Sequence, residues 1–145
     1  MTTRITNLES EKIGPQLWRL TRPLIFRLIP AKLIKDIKLF NNLIKELKVP
    51  ANFITDGASC PKILWAFCSP MTGPQAEAAV LHDWLYSRDS GAICKRKQAD
   101  KIFYNAMLDG GTSKLKARLI YHGVRIGGRG SWKKCKSKDK IKELK

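Results

Sequence analysis

Acidic residues are scarce in this chain. Asp and Glu number 12 against 28 Lys and Arg, a formal net charge of +16 over 145 residues. That balance disfavours cationic partners and points to polyanions: nucleic acid, an anionic membrane face or acidic envelope polymers. Long apolar runs are missing, and none approaches the ~18 residues that a membrane-spanning helix needs. The opening stretch MTTRITNLESEKIG carries Glu9 and Glu11 without an apolar centre, so no secretory signal is expected there. Cysteine is limited to Cys60, Cys68, Cys94 and Cys135, with no C-x-x-C pair. The spacing argues against a structural zinc site, and a chain of this size can build its core without disulfides. Hydrophobic residues still make up 43% of the chain, enough for one folded core rather than wholesale disorder.

What is present changes character along the chain. Leu17 to Arg22 partly alternates, Pro23 interrupts, and Leu24 to Ile29 is a short apolar run ended by Pro30. Ile37 to Phe40 and Leu43 to Val49 read as further strands, although a helix from Ala31 to Leu47 nearly fits the same apolar positions. Residues 50–74 hold Pro50, Gly57, Pro61, Pro70, Gly73 and Pro74, the punctuation of a long structured loop with one helical turn near residues 62–67. From there the pattern turns helical. Thr72 or Gly73 caps a first helix that runs to about Tyr86. A second covers about Lys95 to Leu108, with Ala99, Ile102, Phe103, Ala106 and Met107 on one stripe. A third, capped by Thr112 or Ser113, reaches about Ile126 with Leu115, Leu119, Ile120 and Val124 as its apolar set; Gly127-Gly128-Arg129-Gly130 is expected to end it. The class is therefore α+β: a small N-terminal antiparallel sheet, a three-helix C-terminal half and a basic tail. The expected division is an arm over 1–16, one domain over 17–130 and the tail over 131–145. From Lys114 onward nine Lys and three Arg face only Asp139 and Glu143, so most of the positive surplus lies at this end. It acts either as a solubilising tail or as an electrostatic anchor on an anionic surface.

The chemistry-bearing residues cluster around one histidine. His82 is followed by Asp83, and Tyr86 lies one turn on, on the same helix face as His82. Asp100 falls near the start of the next helix, and a short turn makes the two helices antiparallel neighbours. Asp100 then lies opposite His82 or Tyr86. A carboxylate in that place fixes the imidazole tautomer and leaves the other nitrogen to take a proton from water. A buried, hydrogen-bonded structural pair is the competing reading. Upstream, Thr55-Asp56-Gly57-Ala58-Ser59 offers carboxylate and hydroxyl oxygens on a glycine-bent loop, a set that suits a hard cation such as calcium. Asp56, Gly57 and Ser59, with Asp83, are its candidate ligands; an Asx or Ser/Thr turn is the alternative. An HD-type phosphohydrolase is disfavoured, because no histidine precedes His82.

The segments VPANFITDGASCP, AAVLHDWLY and ADKIFYNAM, in that order, closely resemble the motifs of a domain-of-unknown-function family, number 1353, common in tailed-phage genomes. The resemblance spans about Leu17 to Trp132. It implies a phage or prophage origin, a location in the host cytoplasm or the virion, and no assigned activity. AAVLHDWLY followed by QADKIF is also similar, more faintly, to the core of secreted phospholipase A2, especially the parvoviral capsid form. This second resemblance implies His82 as general base, Asp100 as its partner, Tyr86 as a hydrogen-bond donor to Asp100, and Asp83 as a calcium ligand. It further implies water attack on an ester, with calcium holding the oxyanion. Three functions follow as expectations. One is a virion or morphogenesis component that docks other phage proteins. The second is a calcium-dependent lipid or cell-envelope hydrolase. The third is a sequence-blind nucleic-acid-binding module.

Overall fold

A computed structural model describes residues 2–15, 17–28, 46–55, 73–90 and 94–137. Six strands come first: β1 (Thr2–Arg4), β2 (Ser10–Gly14), β3 (Leu17–Leu20), β4 (Leu24–Leu28), β5 (Glu46–Val49) and β6 (Ile54–Thr55). They form two antiparallel three-stranded sheets, ordered β1-β4-β5 and β2-β3-β6. Three helices follow: α1 (Ala76–Tyr86), α2 (Arg96–Asp109) and α3 (Lys114–Ser137). The α+β class, with strands preceding three helices, is the one the residue pattern indicates.

Period-two alternation sets the first sheet. Leu24 and Phe26 of β4 pair with Val49 and Leu47 of β5, and all four turn inward. Arg27, Glu46 and Lys48 are exposed on the other face. This is the inside-outside pattern of a sheet covered on one side. The stretch read as an N-terminal arm instead supplies β1 and β2. Short strands at an edge are hard to see in sequence, and this one is held from outside itself. The Arg4 amide donates to Asp109 Oδ2 at 3.0 Å, the Arg4 guanidinium pairs with Glu77, and the Leu8 amide donates to Glu77 Oε1 at 3.0 Å. The expected strand at 37–40, the competing helix over most of 31–47 and the turn at 62–67 lie outside the described residues.

α1 is the buried pillar. Every residue from Ala78 to Tyr86 is buried, as is Ala76. A helix apolar on nearly all sides belongs inside a domain, and its alanines let neighbours approach closely. α2 presents the expected stripe, with Ala99, Ile102, Phe103, Ala106 and Met107 all buried. It ends where Gly111 takes a φ of 94°, a left-handed conformation that favours glycine. Ser113 then opens α3, its Oγ accepting from the Lys116 amide at 3.4 Å.

α3 departs from expectation in two ways. It runs through the glycines to Ser137, and Ile120 and Val124, buried as expected, share the inward face with Ala117 and Gly128 rather than with the two leucines. Leu115 and Leu119, expected to face the core, are instead 72% and 52% exposed. The continuation has a packing cause. Trp132, one turn beyond Gly128, lies edge-on to Tyr86 with ring centroids 5.0 Å apart. Glycine propensity alone would stop this helix, and tertiary packing overrides it.

Candidate functional site

The helices bring together the residues singled out on α1 and α2. α1 and α2 pack side by side, and α3 closes across both. At their junction stands Asp100, fully buried. Its Oδ1 accepts from His82 Nε2 at 2.8 Å and from the Tyr86 hydroxyl at 2.6 Å. Its Oδ2 accepts from Arg125 Nη1 at 2.6 Å, with Arg96 Nη1 at 3.8 Å. His82 and Tyr86 share a face of α1, as one turn of separation requires, with ring centroids 4.2 Å apart. Phe103 of α2 stacks on the imidazole from the other helix at 4.4 Å.

Electrostatics follow from this arrangement. Burial pushes the Asp100 carboxyl upward, but bonds from His82, Tyr86 and Arg125 outweigh it and hold the group below its ordinary value. Tyr86 moves the opposite way. Burial first, and then the bond to the Asp100 anion, hold its hydroxyl neutral far above the usual phenol range. Arg125 is raised by the same carboxylate. An ionised Asp100 can only accept, so His82 Nε2 carries the proton in their bond. In the neutral imidazole the lone pair is therefore on Nδ1. That atom is buried and has no hydrogen-bond partner among the described residues.

Arg125 and Arg96 were not among the expected site residues. Arg96 lies four residues before Asp100 on α2, a spacing that does signal an ion pair. Arg125 is one of many cations on α3, and nothing in the sequence marks it from the others. Gly128 belongs to the site as well: a Cβ there would lie 2.8 Å from the Tyr86 hydroxyl. The exposed His122 lies on the outer side of α3, away from this cluster.

The expected cation ligands are only partly placed. Asp83 is buried on α1 next to His82. Asp56, Gly57 and Ser59 lie outside the described residues, while Thr55, which opens their motif, is buried at the end of β6. β6 packs on α1, so the motif begins beside the helix that bears His82. Among the described residues, no group of three or more His, Cys, Asp or Glu side chains is placed to hold a metal ion.

Comparison with known proteins adds relatives without a chemistry. Residues 31–124 match the family described as Protein of unknown function (DUF1353). An uncharacterised protein, y4iH, of Sinorhizobium fredii (strain NBRC 101917 / NGR234) is 39% identical over 75 residues, which is 51% of this chain and 30% of that protein. The chain thus spans less than a third of that relative's length. No solved structure matches.

Proposed function

The chain belongs to the DUF1353 family, and from the site we propose that it hydrolyses carboxylic esters of lipid or cell-envelope material, with His82 as general base and Asp100 as the residue that positions it. The observation that supports this reading is His82 Nδ1. A buried polar atom left unbonded costs about 1–3 kcal/mol. Among the described residues His82 Nδ1 has no partner, and a histidine kept only to join two helices does not need that unbonded lone pair. Here Nε2 is locked by a carboxylate that is itself held by Tyr86 and Arg125, so the opposite lone pair has a fixed direction.

In the proposed step, a water at Nδ1 gives its proton to that nitrogen as its oxygen adds to the ester carbonyl carbon. The tetrahedral intermediate collapses, the bond to the alcohol oxygen breaks, and the proton on Nδ1 passes to the leaving oxygen. Asp100 stays ionised and stabilises the imidazolium. Because His82 is fully buried, the reading requires an opening beside α1 that admits water and substrate. The phospholipase A2 resemblance adds calcium. A hard cation takes about six to eight oxygens, and of the proposed ligands Asp83 alone is described. Calcium is therefore left to calorimetric titration, and no step runs through it.

The test is the initial rate on fluorogenic glycerophospholipid esters, for the full chain and for His82→Gln. Gln keeps an N–H for Asp100 and removes the base. The rate should fall about 10²- to 10⁴-fold, with the fold retained by circular dichroism. Modification by diethyl pyrocarbonate in a His122→Gln background reads the opening directly. No turnover by the folded parent chain, with no modification of His82, overturns the proposal.

A second reading, resting on the sequence resemblance, is a phage virion or morphogenesis component; the complete burial of His82 and Asp100 fits the structural role it gives them. In it, the Asp100 network ties α1, α2 and α3 together, and the location is the host cytoplasm or the particle. It expects no ester turnover, an effect of His82→Gln on stability alone, and the protein present in purified particles.

A further inference from the structure

The outer face of α3 carries the three most exposed large aliphatic side chains among the described residues. Leu115, Leu119 and Ile126 are 72%, 52% and 85% exposed. At 100° per residue they fall within about 40° of one another, along about 16 Å of helix. The inward residues Ala117, Ile120, Val124 and Gly128 occupy the opposite side. Exposed cations line one side of the apolar line, at Lys114, Arg118 and Arg129, and Lys133 extends it. No Asp or Glu occurs anywhere in α3. Beside the line, α2 and α3 enclose an open pocket of about 240 Å³ lined by Lys101, Tyr104, Asn105, Arg118, Tyr121 and His122. The pocket also has no acid in its lining, and Tyr104 and Tyr121 meet edge to face at 5.6 Å.

We infer that this face docks on an anionic phospholipid surface, with Leu115, Leu119 and Ile126 entering the headgroup–acyl boundary and the Lys101–Arg118–His122 pocket receiving a headgroup phosphate. An amphipathic helix with aliphatic residues on one line and basic residues beside it binds in this way, by apolar burial plus attraction to anionic lipid. The charge decides between occupants. A second copy of the chain would set one unbroken cationic helix against another. A nucleic acid would use the cations but would leave the aliphatic line in water. Only a surface with both anionic headgroups and an apolar interior satisfies the whole face. No turnover is needed for docking, so the inference does not depend on the hydrolase reading, although it would place such an enzyme on its substrate.

The experiment is co-sedimentation of the full chain with vesicles of phosphatidylcholine alone, or of phosphatidylcholine with phosphatidylglycerol. The variants are Leu119→Gln/Ile126→Gln, Arg118→Gln/His122→Gln and His82→Gln. Gln preserves helix propensity and leaves the flanking charge of the first variant intact. The parent should bind anionic vesicles at least about tenfold more tightly than neutral ones. The aliphatic double variant should lose about tenfold and the pocket variant a similar amount, with unchanged circular dichroism. His82→Gln should bind as the parent does, which separates docking from catalysis. Equal binding to both vesicle types overturns the inference. So does anionic binding that Leu119→Gln/Ile126→Gln leaves unchanged. Binding to a random DNA duplex without binding to anionic vesicles also overturns it, and marks the face as a general polyanion patch.

Discussion

Asp100 Oδ1 lies 2.8 Å from His82 Nε2 at a point where both side chains are fully buried. The pair joins α2 to α1. The second carboxylate oxygen joins both to α3 through Arg125. One anion thus organises the helical half, whatever chemistry His82 performs. Its removal is the most informative single change. Asp100→Asn leaves Arg125 facing a neutral amide and gives His82 a partner that both donates and accepts. The expected loss is about 3 kcal/mol, the lower end of the cost of unpairing a buried ion, because Arg125 and Arg96 keep part of their hydration. Urea unfolding at neutral pH measures it. A loss below about 1 kcal/mol would show that the carboxylate does not anchor the helices.

Two groups of the cluster set opposite limits on stability. Asp100 is held below its ordinary value in the folded chain, so its contribution is present above the unfolded carboxylate value of about 4 and is lost as pH falls through the lower folded value. Tyr86 is raised. Its contribution is full below the unfolded phenol value of about 10 and fades as pH rises beyond it, because only the unfolded chain then releases the proton. Unfolding free energy followed from acid to alkaline pH should show both flanks. Tyr86→Phe should flatten the alkaline flank and only weaken the acid flank, which the bonds from His82 and Arg125 still sustain. An alkaline slope identical in parent and variant would show that Tyr86 does not govern it.

The N-terminal strands depend on one carboxylate of α1. Glu77 accepts from the Leu8 amide and pairs with Arg4, so Glu77→Ala removes two ties at once. Arg4 is largely exposed and its pair is worth little on its own, whereas the part-buried amide bond is worth about 1 kcal/mol. Glu77→Ala should cost about 1–2 kcal/mol and speed proteolytic nicking within residues 1–16. Glu77→Gln, which retains the acceptor for Leu8, should recover at least half of that loss.

How much of this was legible beforehand depended on the range of the interaction. His82, Tyr86 and Asp100 could be read because helical spacing and one short turn dictate their meeting. The stripe on α2 was readable for the same reason. β1 was not, since it pairs with β4 more than twenty residues on and its Arg4 amide is held by Asp109. β2 was not either: its partner β3 follows almost at once, but Ser10, Glu11 and Lys12 are all exposed and give no alternation to read. Arg125 was not, because a guanidinium aimed inward looks like any other in a basic helix. The third helix misled most. Ile120 and Val124 face inward as their spacing implies, yet Leu115 and Leu119, which fit the same period, lie outside, and the small residues Ala117 and Gly128 complete the inward face. Propensity at Gly127-Gly128-Arg129-Gly130 likewise predicted an end that the packing of Trp132 on Tyr86 removes.

Gly128 lets the two effects be separated by experiment. Replacing a glycine inside a helix with alanine ordinarily stabilises by up to about 1 kcal/mol. At Gly130 nothing lies within 4 Å of the added carbon, so Gly130→Ala should show that gain. At Gly128 the same carbon would sit 2.8 Å from the Tyr86 hydroxyl, whose 2.6 Å bond to Asp100 would be strained by any retreat. Overpacking of that kind costs about 1–3 kcal/mol, so Gly128→Ala should be net destabilising by about 1 kcal/mol. The decisive comparison places it in a Tyr86→Phe background. The phenylalanine lacks the obstructing oxygen, and there Gly128→Ala should become neutral or stabilising, a coupling of about 1–2 kcal/mol between the two positions. Thermal unfolding of the four-member cycle measures it. An equal cost in both backgrounds would mean that backbone approach, rather than the Tyr86–Asp100 bond, demands the glycine.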